Sequence, residues 1–96
     1  MNATVPGIAR SYCNVKGAVA ELNLRFGTVL VTHSKTGRVL MQFVGMRKTA
    51  QDIWYLLTLH YAPDVAKRFF CVNARQYAVA AEAQIAKTVL ALESGS

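Results

Sequence analysis

Acidic residues are few in this chain. Five aspartates and glutamates stand against eleven lysines and arginines in 96 residues, giving a net charge of +6. Asp52, Asp64, Glu82 and Glu93 are scattered over cap positions and helix faces, and Glu21 is the only acid before them. No two sit close in sequence on a core face, so general acid–base catalysis has few candidates. The chain also lacks a GxSxG elbow and a phosphate-cradling glycine loop. An enzyme is therefore not expected.

Cysteine is scarcer still. Cys13 and Cys71 alone cannot build a disulfide framework, and the N-terminus has no apolar block of secretory length. A reduced, cytoplasmic setting is the expectation. Cys13, His33, His60 and Cys71 carry zinc-type donor atoms but form no closely spaced ligand pair, so neither a metal nor another cofactor is expected. Cys71 with His60 lacks an orienting third group for nucleophilic chemistry. Long hydrophobic runs are missing too. No run is longer than the five residues of Ile53–Leu57, far below the roughly 20 residues that cross a bilayer, and no membrane contact is expected.

What is present is apolar. The chain is 53% hydrophobic and 17% charged, where a soluble domain is typically about a quarter charged. One small domain struggles to hide that much apolar surface, which favours a homo-oligomer. The densest stretch is Thr49–Tyr61, whose wheel leaves Gln51 and Thr58 as its only clear polar stripe. A helix apolar on nearly every side must be packed on nearly every side. Thr49 with Asp52 reads as its capping box, and Pro63 as its stop.

Residues 1–17, with Pro6-Gly7 and Gly17, show no sustained period and read as an N-terminal arm. From Ala18 the period is two. Strands are expected over 18–25, 28–33 and 38–44, joined by a tight turn at Phe26-Gly27 and a glycine-bulge turn at Ser34–Gly37. These turns set Leu24 opposite Val29, Leu22 opposite Val31, Val29 opposite Phe43 and Val31 opposite Met41. Ala20, His33 and Val39 continue that core face. Trp54 and Phe43 are expected between this sheet and the first helix. A short helix over 64–70 and a longer one over 73–92, capped by Asn73 with Gln76, complete the pattern. The expected fold is α+β: a three-stranded antiparallel meander followed by three helices (βββααα), with the helices on one sheet face. Residues 18–93 make the domain and 94–96 a tail or linker remnant.

The excess charge lies in the first half, where Arg10, Lys16, Arg25, Lys35, Arg38, Arg47 and Lys48 face Glu21 alone. Arg25, Lys35, Arg38, Arg47 and Lys48 flank the turns and the first helix start. The expectation is a basic hairpin rim that binds nucleic acid or an acidic protein surface, in a small regulatory protein. The outer sheet face, read as three strands, has no aromatic for base stacking. It does carry Leu30, Leu40 and Val44. These aliphatics support a second reading, a protein–protein interaction module such as an adaptor or inhibitor of a larger complex.

Residues 64–92 have the cadence of a helix-turn-helix, but the turn lacks a glycine and this half of the chain carries no net charge, so an αα-hairpin of the core is the favoured reading. Their last helix carries two stripes. Tyr77, Ala78, Ala81, Ile85, Val89 and Leu92 suffice to dock it, and Val79, Ala83, Ala86 and Leu90 lie opposite. That second stripe, bordered by charges, is expected to pair two copies into an antiparallel homodimer with Lys87 facing the partner's acids. The competing possibility is that residues 1–17 fold back over it.

Overall fold

The computed structural model describes residues 7–59 and 70–95. Within them the chain forms four strands and then two helices: β1 (Ile8–Tyr12), β2 (Ala18–Asn23), β3 (Thr28–His33), β4 (Val39–Val44), α1 (Arg47–Leu57) and α2 (Val72–Ser94). The strands make one antiparallel sheet in the order β1-β2-β3-β4. The fold is α+β, but the three-strand, three-helix layout is corrected to four strands and two helices. The additional strand lies in the segment expected to be an arm. The helix expected over 64–70 falls mostly on 60–69, outside the described residues, as does the first half of the supposed helix-turn-helix.

β1 escapes a hydrophobicity reading because it alternates by size. Ala9 and Ser11 oppose Leu22 and Ala20 on the core face, while Ile8, Arg10 and Tyr12 point outward. Small inward residues suffice at this edge, because both helices pack elsewhere. α1 lies on β2 and β3, and α2 lies on α1 and β4. Val29, Val31, Ile53, Leu57 and Ile85 are fully buried where these layers meet.

The β2–β3 register differs from expectation by two residues. Leu22 pairs with Val29 and Ala20 with Val31. Asn23 causes the shift: its side-chain oxygen accepts the Arg25 N–H at 3.0 Å and the Phe26 N–H at 3.3 Å. That Asx turn lengthens the loop to residues 24–27. A two-residue shift preserves the faces, so the core assignment survives it. Gly27, at φ +66°, backs onto Gly45, and a Cβ there would run into the Gly45 carbonyl oxygen.

The β3–β4 pairing matches expectation at Val29–Phe43 and Val31–Met41 and then breaks. Val39 sits opposite Thr32, with Leu40 as the extra residue of a bulge. A bulge exchanges the faces beyond it. Val39 therefore turns outward and is 62% exposed, while Leu40 packs against the core. Both were expected on the opposite side.

α1 begins at Arg47 with Met46 as its N-cap and no side-chain cap bond. Thr49 is thus inside the helix, and Asp52 serves another purpose. Buried, it accepts both hydrogen bonds of the Lys48 ammonium, at 2.9 and 2.8 Å. Every residue from Thr49 to Thr58 is buried or half-buried, as a helix apolar on nearly all sides requires. Trp54 lies between α1 and the sheet and donates its indole N–H to the Ala20 carbonyl at 2.9 Å. Phe43 lies instead against α2, edge-on to Tyr77 with ring centroids 5.1 Å apart.

The last carbonyls of α1 need outside donors. Asn14, in the β1–β2 turn, supplies two: its backbone N–H to Leu57 at 2.7 Å and its side-chain amide to Leu56 at 2.9 Å. The same amide donates to Glu82 at 3.0 Å, tying the turn to α2. α2 starts one residue before the expected Asn73 cap, with Cys71 as N-cap. It continues through Ser94, the first residue of the expected tail.

Candidate nucleic-acid interface

A meander alternates its turns between the two ends of the sheet, so the five expected cations do not form one rim. The 24–27 loop and the start of α1 share one end, where the Gly45 N–H meets the Gly27 carbonyl at 2.9 Å. Arg25 and Arg47 line a shallow groove there with Gly7 and Leu24. Lys35 and Arg38 sit at the other end, roughly 17–20 Å away along six-residue β3. Lys48 is held by Asp52 and contributes little net charge.

The second end is the richer one. Its turns are tied together by the Ser34 N–H, which donates to the Gly17 carbonyl at 2.8 Å. Between them and the C-terminus of α2 opens a cleft of about 650 Å³, lined by Tyr12, Val15, Lys16, Ser34, Lys35 and Glu93, with Cys13 and Gly17 at its floor. A second hollow of about 440 Å³ adjoins it on the open sheet face, lined by Arg10, Ser11, Tyr12, Val19 and Ser34. Tyr12 and Ser34 belong to both.

Tyr12 is therefore an exposed aromatic (59% exposed) in the middle of Arg10, Lys16 and Lys35. Two acids temper the charge: Glu21, opposite Arg10 in the β1–β2 register, and Glu93 in the cleft. Sequence reading missed Tyr12 and Arg10 as site residues because it placed them in an arm. The outward spacing of Ile8, Arg10 and Tyr12 at every second residue was the available signal.

His33 and Cys13 support this end from below. His33 is buried, and its Nδ1 accepts the Thr36 N–H at 3.3 Å and faces the Thr36 hydroxyl at 3.0 Å. The ring proton is then on Nε2, which faces Glu93 at 3.4 Å. These bonds hold the 34–37 turn against α2. Burial, and secondarily the Glu82 charge, push the Cys13 thiol up to about 12. A thiol so shifted is neither a nucleophile nor a ready metal ligand near neutrality. Cys71 lies exposed at the α2 N-cap, and His60 lies outside the described residues. Among the described residues, no three His, Cys, Asp or Glu side chains gather around a possible metal position.

The aliphatic surface of the sheet is also rearranged. Leu30 is half-buried and Val44 is 67% exposed on the face that no described helix covers, where Val39 takes the place expected for Leu40. On α2, the buried stripe is Ala74, Ala78, Ala81, Ile85 and Val89. Val79, Ala83, Ala86 and Leu90 all lie on its exposed side. Among the described residues, no helix is long and apolar enough to cross a membrane.

Comparison of the chain with protein-family models, with curated proteins and with solved structures returned no match.

Proposed function

We propose that this protein binds single-stranded nucleic acid without catalysis, through the open sheet face around Tyr12. The carrying observation is an exposed aromatic ring bordered by Arg10, Lys16 and Lys35 on a sheet face that no described helix covers. Sequence-tolerant single-strand binders need those two components: a π-face for a base and flexible cations tracking the phosphates. Arg38, past the same turn, extends the cationic border. Arg25 and Arg47, in the groove at the far end, would extend the path for a longer strand. A cytoplasmic location goes with this reading, since Cys13 and Cys71 are free thiols.

The test is binding of labelled single-stranded oligonucleotides across a salt series. Tyr12→Ala should remove roughly 1–3 kcal/mol of stacking, leaving the fold intact because the ring is exposed. Lys16→Gln with Lys35→Gln should reduce the salt slope by about 0.7 for each phosphate left without its cation. Binding that ignores both changes would overturn the proposal.

A second reading rests on Val39 and Val44, each more than half exposed beside Leu30 on the same face. Such a patch suits a protein partner, whose adaptor or inhibitor role would follow from what it covers. A partner held there would be lost on Val44→Glu and would respond little to salt.

A further inference from the structure

α2 runs for 23 residues, about 34 Å at 1.5 Å per residue, yet it docks through one stripe. On the side away from Ala74, Ala78, Ala81, Ile85 and Val89, Val72 is 66% exposed, Val79 70% and Leu90 69%. Exposed Ala83 and Ala86 lie between the last two. The stripe Val79, Ala83, Ala86, Leu90 is spaced four, three and four residues, the repeat of a helix–helix seam. It is also a palindrome in size: large, small, small, large. Run antiparallel against itself, it sets Val79 against Leu90 and Ala83 against Ala86, with small residues where the backbones come closest. Of the alternative cover, residues 1–17, the first six lie outside the described residues and residues 7–17 are accounted for. They form β1 and the turn behind it, and Asn14 meets α2 at Glu82, outside the stripe.

We propose that α2 pairs antiparallel with α2 of a second copy across a twofold axis, through Val79, Ala83, Ala86 and Leu90. The helix dipoles favour the antiparallel direction, and the margins of the seam supply its ion pairs. A twofold between antiparallel helices brings each margin of the seam against the same margin of its mate. Arg75, Glu82 and Glu93 share one margin, and Lys87 lies on the other. Lys87 therefore does not reach the partner's acids, contrary to the expectation from sequence. Arg75 does. In the register that matches Ala83 with Ala86, Arg75 stands within about 1.5 Å, along the axis, of the partner's Glu93. Symmetry makes that pair twice. Glu93 is 47% exposed although it also faces His33, and Arg75 is exposed beside the Phe70 ring. A parallel pair would bring Glu82 to the partner's Lys87. It would also leave Arg75 and Glu93, 18 residues apart on one margin, without each other across the seam and align the two helix dipoles.

Sedimentation velocity over a concentration series tests the pairing. Wild type should pass from monomer to dimer. Ala83→Glu with Ala86→Glu should stay monomeric with an unchanged helical signal, because both sites are exposed in one copy. Arg75→Glu should weaken dimerisation about tenfold, the scale of two symmetric exposed pairs, and adding Glu93→Arg should restore it. For direction, Ala83→Cys and Ala86→Cys variants, each carrying Cys71→Ser, are mixed with a short bis-maleimide. Cross-links between the two variants are expected. Cross-links only within each variant would mean a parallel pair and overturn the proposal, as would a wild type that stays monomeric throughout.

Discussion

The sheet has two faces built from similar residues and put to different uses. On the covered face Ala18, Ala20, Leu22, Val29 and Val31 are all buried under the helices. On the open face Tyr12, Val39 and Val44 are each more than half exposed, and Arg10, Glu21 and Gln42 stand among them. Valine occurs on both. Strand propensity is therefore not what separates the faces; the layer above them is. The covered face is closed by α1, whose Trp54 reaches a strand carbonyl, and by α2, which meets Phe43 through Tyr77. The open face is bounded by cations at its two ends and carries one hollow, which meets the cleft beside α2 at Tyr12. One face supplies stability, and the other is the face proposed above for binding.

The strongest way to break that contrast is to empty the covered face. Ile53 is fully buried between the sheet and α2. Ile53→Ala should lower stability by about 2–5 kcal/mol, measured by urea unfolding, since a close-packed site collapses only partly around the void. A loss below about 1 kcal/mol would mean that α1 does not sit where the structure puts it.

How legible each face was follows from the same contrast. Leu22, Val29, Val31, Met41 and Phe43 were readable as one face because strict alternation survives a two-residue register error. β1 was not, since Ala9 and Ser11 are too small to mark a period, and with β1 went Tyr12, the centre of the candidate site. The bulge at Leu40 could be anticipated from Gly37 but not its exchange of Val39 for Leu40, because residue count alone does not say where pairing resumes. Lys48 was expected to meet phosphate, yet its spacing of four residues from Asp52 pointed to an ion pair. The charges at the sheet ends were misgrouped for a topological reason. Successive turns of a meander lie at opposite ends, so Arg25 and Lys35 could never share a rim.

A smaller effect comes from the end of the sheet where the two faces meet. Cys13 is buried beneath the cleft, with its thiol raised from 9.0 to about 12. The folded state then keeps a proton that the unfolded chain gives up above 9.0. The stabilisation is complete below 9.0 and is lost as pH rises towards about 12, at no more than about 1.4 kcal/mol per pH unit. Urea midpoints should fall over that range for wild type and fall less for Cys13→Ala. Cys71, exposed at the α2 N-cap, should react with a thiol reagent at once, and Cys13 only on unfolding.

The smallest expected effect is the sharpest test of the open face. Val39→Thr and Val44→Thr keep the β-branch and the strand preference while replacing a methyl by a hydroxyl. Under a packed layer such a change buries a polar group and destabilises by about 1–3 kcal/mol. In water it should do almost nothing, within about 0.5 kcal/mol. Each valine is more than 60% exposed, so the near-zero result is expected for both. Measured at protein concentrations where the α2 seam is occupied, the result should be the same, because that seam lies on the helix layer, away from this face. A loss above about 1 kcal/mol at high concentration, absent at low, would show a second copy covering the sheet. Tyr12 would then be buried in that assembly, and the nucleic-acid reading would lose its ring.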